Sequence, residues 1–305
     1  MIGALRVSGG AGVVGRLAGI AGDRASAGET QPSDSRRERP LGKKPLGKNP
    51  LGKRVGVGMD ESKMLPILKV YPRQVSHYVV VCGDPARTQT IARHIEHARE
   101  VSYNREYRLV NGVYRGTPVT IASHGVGAAG ACVCFEELIK AGARVLIRVG
   151  TAGSLNRSIV DGDLIVATGA VREDGVTSQL VPISFPAIAD SAVVDALYRV
   201  GVERGAKITK GVVLTVGALY PGILPLPNEE MSRAGAIGVE MEVSALLIVA
   251  ALRGARAGAI LAVDGMAIEF DGNSYNPNRQ VVAEAIELEA EIALEAVARL
   301  AATEG

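Results

Sequence analysis

Tryptophan is absent from this 305-residue chain, and phenylalanine occurs only three times. Cysteine is as scarce. Cys82, Cys132 and Cys134 lie inside apolar segments, without a paired framework or metal spacing, so they read as buried thiols in a reducing compartment. The four histidines, His77, His94, His97 and His124, form no HExxH-like cluster, which argues against a metal enzyme. No stretch approaches the roughly 18 uninterrupted apolar residues of a membrane span. Strong charge is also missing, since the net value is only +2. Residues 1–58 hold eleven Lys and Arg against four Asp and Glu, so the remainder is mildly acidic and gives nucleic-acid binding little support. Ala, Gly and Val are plentiful instead, as suits an α/β protein with a large core. The length bounds the chain to one large domain or two modest ones.

Residues 1–58 do not read as a fold. They are dense in Gly, Ser, Arg and Pro and repeat a five-residue unit at Pro40-Leu41-Gly42-Lys43-Lys44, Pro45-Leu46-Gly47-Lys48-Asn49 and Pro50-Leu51-Gly52-Lys53-Arg54. Such a segment has too little apolar surface to offset its ordering entropy. A disordered tail, a targeting presequence and translated sequence upstream of a start at Met59 or Met64 compete for it, with targeting ranked last. From Tyr78 onward strand and helix patterns alternate. β-rich runs lie at 78–82, 118–122, 145–149, 164–168, 211–216 and 258–263, and helical spacing at 88–97, 130–140, 191–203, 240–252 and 279–302. The last helix is Ala/Glu-rich and amphipathic. Helices between buried strands predict a central sheet covered on both faces, with ligands at the carboxyl ends of strands.

The candidate chemistry falls at those ends. Gly83-Asp84-Pro85-Ala86-Arg87 follows the first run, where a glycine turn exposes amides and Arg87 brings a planar fork of donors to an anion. Arg148 sits inside Val145-Leu146-Ile147-Arg148-Val149, ahead of Gly150-Thr151-Ala152-Gly153. A buried arginine needs either an anion or a core carboxylate, and Arg87 tips the choice toward a shared phosphate, to which Thr151 adds a hydroxyl. The loop Ser123-His124-Gly125-Val126-Gly127 opens a helix whose amides could face an anion or merely turn the chain; no Ser or Cys pairs with His124, which is left as a loop residue. Glu240-Met241-Glu242 interrupts an apolar stretch, and two carboxylates there are costly unless bound, for instance to vicinal sugar hydroxyls. Asp264 ends a strand before Gly265, where partial desolvation would let its carboxyl donate a proton; Asp-Gly is also a common turn.

These segments, with Tyr103-Asn104-Arg105-Glu106-Tyr107 and Val171-Arg172-Glu173-Asp174, resemble in order and spacing the hexameric-type nucleoside phosphorylases, which include purine nucleoside and uridine phosphorylases. The resemblance runs from about Met64 to Ala302. It implies an extension at 1–58 before a domain at 59–305, built as a single three-layer α/β/α fold around a mixed sheet. It also implies phosphate binding by Gly83, Arg87, Arg148 and Thr151, with Arg105 reaching a neighbouring subunit's site. Met241 and Glu242 would hold the ribose with Glu240 beside them. Ala152, Gly153, Leu219, Tyr220 and Asp264 would meet the base, and Asp264 would act as general acid toward N7 of a purine. Arg87 would be catalytic through its hold on the attacking phosphate. The implied reaction is phosphorolysis to free base and ribose 1-phosphate, with inorganic phosphate as co-substrate and no metal or organic cofactor. The implied assembly is a cytoplasmic, dimer-based homo-oligomer, with a hexamer as the expectation.

Two departures bear on specificity. Uridine phosphorylases of this type read uracil with a Gln and an Arg after a Phe-Tyr-Pro-Gly turn. Here Leu219-Tyr220-Pro221-Gly222 is followed by Ile223 and Pro225, which cannot pair with a uracil edge, so a purine is favoured. Leu219 also replaces the aromatic that usually stacks on the base. Upstream, Ile67 stands where many members carry a histidine for the ribose 5′-hydroxyl, which suits a 5′-deoxy or 5′-methylthio group and keeps 5′-methylthioadenosine in view. The rivals are a uridine phosphorylase, a hydrolytic nucleosidase, which would not need Arg87, Arg105 and Arg148 together, and a non-catalytic nucleoside-binding sensor.

Overall fold

Alternation of buried β-rich runs with helical spacing produces ten strands and six α-helices among the described residues. The computed structural model describes residues 62–270 and 278–304; the extension expected at 1–58 lies outside them. In chain order the elements are β1 (Tyr78–Cys82), α1 (Pro85–Ala92), β2 (Glu96–Asn104), β3 (Tyr107–Tyr114), β4 (Thr117–Ser123), α2 (Ala128–Ala141), β5 (Val145–Ser154) and β6 (Leu164–Glu173). They continue as β7 (Ala187–Ile188), α3 (Ser191–Glu203), β8 (Ile208–Val216), α4 (Asn228–Arg233), β9 (Gly238–Glu240), α5 (Val243–Arg253), β10 (Arg256–Met266) and α6 (Gln280–Glu304).

The strands form one mixed sheet. β1 lies parallel between β4 and β5, and β5 also runs parallel to β10. β10 is antiparallel to β6, β6 runs parallel to β8, β8 parallel to β9, and β9 returns antiparallel to the end of β5. Strands β5, β10, β6, β8 and β9 thus close a ring within the sheet. Helix α6 packs against α1, against α3 and against the sheet, while α2 and α5 form a second group. The central sheet with helices that the alternation predicts, and the mixed α/β/α plan that the resemblance implies, are therefore present. Its core is aliphatic: Val79, Val80 and Val81 of β1 and Leu146 and Ile147 of β5 are fully buried, with Phe135 of α2 packed among them. Side chains of this size contribute about 1.5–3 kcal/mol each on burial.

Three local expectations change, the first being that the helix expected at 240–252 begins only at Val243, with Glu240 closing β9. The helix expected at 88–97 stops at Ala92, and from Glu96 the chain is already in β2, an edge strand exposed along most of its length. The last helix does not keep all its glutamates outside, because Glu289 and Glu295 are buried. Since β1, β4, β5 and β10 are mutually parallel, their carboxyl ends bring Gly83, His124, Thr151 and Asp264 to one edge of the fold.

Candidate active site

A cavity of about 940 Å³ opens at that edge. It is lined by Gly83, Arg87, Arg148, Thr151, Ala152, Gly153, Leu219, Glu240, Met241, Glu242 and Asp264. Eleven of the thirteen residues singled out from the sequence therefore meet in one place. The other two do not line it. Tyr220 is largely exposed, its ring 6.4 Å from that of Phe270. Arg105 is exposed at the tip of the β2–β3 hairpin, in a left-handed conformation with φ 57°. Ile223 and Pro225 are also off the cavity wall, and Ile223 points wholly into solvent.

Arg87 is placed by its helix. Asp84 caps α1, its carboxylate accepting from the Ala86 amide at 2.8 Å, and Pro85 pre-sets the first turn. Such a cap stabilises a helix by about 1 kcal/mol and fixes where Arg87 emerges. Gly83 does not owe its place to the fold. A Cβ there would meet the Gly125 carbonyl at an ordinary 3.4 Å, so any demand for glycine comes from the ligand's side of the loop. Gly150 differs. A Cβ there would come within 2.6 Å of the Arg148 guanidinium, which folds back over the bare glycine backbone.

Arg148 is buried and ties β5 to β9, to the residue ahead of α5 and to the loop after β4. It donates from Nη2 to Glu242 Oε2 at 2.5 Å and to Glu240 Oε2 at 3.3 Å, and from Nη1 to His124 Nε2 at 3.1 Å. Burial works against its charge, but Glu242 and Glu240 outweigh it and raise its pKa above the arginine norm. Of the two solutions weighed for a buried arginine, the core carboxylate is present, since Glu240 and Glu242 hold it; Arg148 also lines the cavity. His124 has a defined part as well. Its Nδ1–H donates to the Gly125 carbonyl at 2.8 Å, leaving Nε2 to accept from Arg148. Burial, reinforced by Arg148, pushes its pKa well below 6.5. It is a neutral support for Arg148 and does not line the cavity.

The two glutamates separate in role. Glu240 accepts from Thr215 Oγ1 at 2.6 Å, from the Glu242 amide at 2.7 Å and from the Val243 amide at 2.9 Å. Burial raises its pKa, Arg148 pulls the other way, and Glu242 adds to the rise. Its oxygens are committed within the protein, and both oxygens of Glu242 are held as well, Oε2 by Arg148. Glu242 accepts from the Gly127 amide at 2.6 Å, so the anion at the mouth of α2 is here a carboxylate of the same chain. Asp264 is nearly fully buried. Val263 pairs with Ala152 and Gly265 with Gly153, so Asp264 is the extra residue of a β-bulge that re-aims a side chain beside the cavity.

Several lining residues escaped sequence reasoning: Glu106, Asp161, Asn228, Met266, Phe270 and Arg279. Glu106 lay next to Arg105 in a quoted segment. Arg279 carried no sequence signal; it pairs with Asp161 and donates to the Asp264 carbonyl at 3.2 Å. Asn228 donates from Nδ2 to the Ala267 carbonyl at 2.8 Å. Conversely, Arg172 and Asp174 of a quoted segment are structural. Arg172 donates to the carbonyls of Val181, Pro182, Ile183 and Phe185, and Asp174 accepts from Thr177 and Ser244.

The lining is chemically mixed. It holds the basic and hydroxyl groups of Arg87, Arg148 and Thr151 with the Gly83 turn, the acids Glu242 and Asp264, and the apolar residues Val216, Leu219, Leu226, Met266 and Phe270. Basic, acidic and apolar groups thus share one cavity at the carboxyl ends of the parallel strands of an α/β/α scaffold, the usual place for a ligand site in such a sheet. Residues 77–301 match the model of the phosphorylase superfamily, and the chain belongs to that family. Purine nucleoside phosphorylase of Plasmodium falciparum is 38% identical over 240 residues, covering 78% of this chain and 97% of the relative. Uridine phosphorylase of Treponema pallidum is 35% identical over 201 residues, covering 63% and 78%. Among solved structures, purine nucleoside phosphorylase of Toxoplasma gondii in complex with immucillin-H superposes with a TM-score of 0.76 at 36% identity, covering 79% of this chain and 98% of that one.

Proposed function

We propose that this protein is a nucleoside phosphorylase, a pentosyltransferase that cleaves a purine ribonucleoside with inorganic phosphate to give free base and ribose 1-phosphate. The observation that carries the reading is the joint presence, on one cavity, of Arg87, Arg148 and Thr151 with Met241, Glu242 and Asp264. Phosphate sits between Arg87 and Arg148, with the Gly83 turn and Thr151 completing its donors. Glu242, with Met241 packed beside it, accepts from the ribose hydroxyls. The C1′–N bond loosens toward an oxocarbenium-like state, Asp264 protonates N7 of the departing purine, and phosphate attacks C1′. The arginines position the nucleophile and hold its charge, so catalysis is mainly orientation and electrostatics.

Purine is favoured over uracil because the two positions that would read uracil, Ile223 and Pro225, have no matching hydrogen-bonding groups and lie off the cavity wall. Arg105, exposed on its hairpin, serves the site of a second subunit, in a cytoplasmic homo-oligomer built from dimers and completed as a hexamer. The test is base release from inosine, guanosine, adenosine, 5′-methylthioadenosine and uridine, each with and without phosphate. Purine release only with phosphate is the expected result. Release without phosphate would make the protein a nucleosidase, and a preference for uridine would overturn the specificity argument.

A further inference from the structure

Next to Arg87, and outside the cavity lining, lies a carboxyl for which the reaction has no use. Glu289 of α6 is completely buried, and neither of its oxygens completes a hydrogen bond of good geometry among the described residues, although the Gly150 and Ala262 amides face it and favour its charged form. Its Oε1 stands 3.6 Å from Nη1 of Arg87, whose guanidinium lines the cavity. Arg87 is thus shared by a buried carboxyl and the place assigned to phosphate.

The surroundings of Glu289 are sparse. Arg87 faces it from α1, Arg148 from β5 and the Cys82 thiol from β1, while β5 and β10 present the backbone amides of Gly150 and Ala262. Asp264 lies two residues beyond Ala262 on β10. The other acids of α6 face their own partners: Glu287 meets His94, Glu291 meets Arg204, and Glu295 meets Arg115 and Arg299. Cys82 is itself pushed up to about 12 by burial, so it stays a neutral thiol at neutral pH.

We propose that Glu289 is a positioning residue for Arg87 and a proton acceptor linked to the anion site: it takes up a proton when an oxyanion binds, and ionised Glu289 competes with that anion for Arg87. The inference rests on the phosphate-site reading above. Burial pushes the Glu289 carboxyl up to about 8, against the pull of Arg87 and Arg148, so its ionisation falls in an accessible range. A dianion bound to the same guanidinium repels the ionised carboxylate and raises it further. Binding and protonation then favour each other, and anion affinity falls as pH rises through the value of the empty site.

The test uses the full chain and sulfate, whose charge is constant over this range whereas that of phosphate is not. Titration calorimetry in buffers of different ionisation enthalpy gives both the sulfate affinity and the protons taken up. For the unaltered protein we expect affinity to weaken about tenfold from pH 7 to pH 9, with most of one proton taken up per sulfate at the upper end. For Glu289→Gln we expect a flat profile and no uptake. A flat profile for the unaltered protein, or an unchanged slope in Glu289→Gln, overturns the proposal. The proton count of the unaltered protein decides the question if the variant folds poorly. Phosphate-dependent base release without proton linkage would refute this inference and leave the functional reading standing. Absence of both sulfate binding and phosphate dependence would remove both.

Discussion

Replacing Glu289 by glutamine should stabilise the protein increasingly as pH rises. The ordinary glutamate value is 4.5, and in the folded chain burial raises it to about 8. The sign follows from proton binding. Above about pH 5.5 the unfolded chain has released this proton while the folded chain still holds it, so folding takes up a proton and stability falls with rising pH. Integrating between pH 6 and pH 8 gives a loss of about 2 kcal/mol, and the whole interval from 4.5 to 8 corresponds to roughly 5 kcal/mol at 1.36 kcal/mol per unit. Glutamine keeps the shape without the titration. The stability difference between Glu289→Gln and the unaltered chain should therefore widen by about 2 kcal/mol over that span and level off above about pH 9. Urea unfolding followed by far-UV circular dichroism reads it, because the chain has no tryptophan to report by fluorescence. Protein concentration must be fixed and phosphate and sulfate left out, since subunit association and bound anions both shift apparent stability. A constant difference from pH 5.5 to pH 9 would show that Glu289 does not titrate there in the folded protein, and the reasoning from its burial would be wrong.

Other consequences are simpler to read. Asp264→Asn should lower kcat on purine nucleosides by about 10²–10⁴-fold while a nucleoside analogue still binds, and undiminished turnover would reassign the acid. Arg148→Met leaves Glu240 and Glu242 buried without their cation; it should cost about 3–5 kcal/mol in urea unfolding as well as phosphate-dependent activity. Gly150→Ala drives a methyl into the Arg148 guanidinium, so the KM for phosphate should rise with a stability loss of about 1–3 kcal/mol; an unchanged KM would mean the arginine relocates freely. Removing residues 1–58 should leave phosphorolysis unchanged in a steady-state assay, and a large loss would give that segment a part in the site.

Each strand that the sequence revealed did so by being buried. β1 and β5 are continuous apolar runs, and their ends carried the phosphate candidates Gly83, Arg87, Arg148 and Thr151. β2 was missed because its edge position leaves Glu96, His97, Arg99 and Glu100 in solvent, where no apolar period is required. The site followed the same division. Residues that break a local rule, such as an arginine in a buried strand or two acids ahead of an apolar helix, announce themselves in one dimension. Arg279 and Asn228 break no such rule, and only the fold carries them to the cavity.

By itself, then, the sequence determined the alternating α/β plan, the main buried strands and the chemical types gathered at their carboxyl ends, because burial period and misplaced charge are local properties. Tertiary structure alone decided that Arg148 is shared by Glu240, Glu242 and His124, that a bulge re-aims Asp264, and that Glu289 turns inward beside Arg87. The physical reason is that an Ala/Glu-rich helix is amphipathic on average, whereas the cost of one buried carboxyl depends on which cation the opposing strand and helix bring beside it.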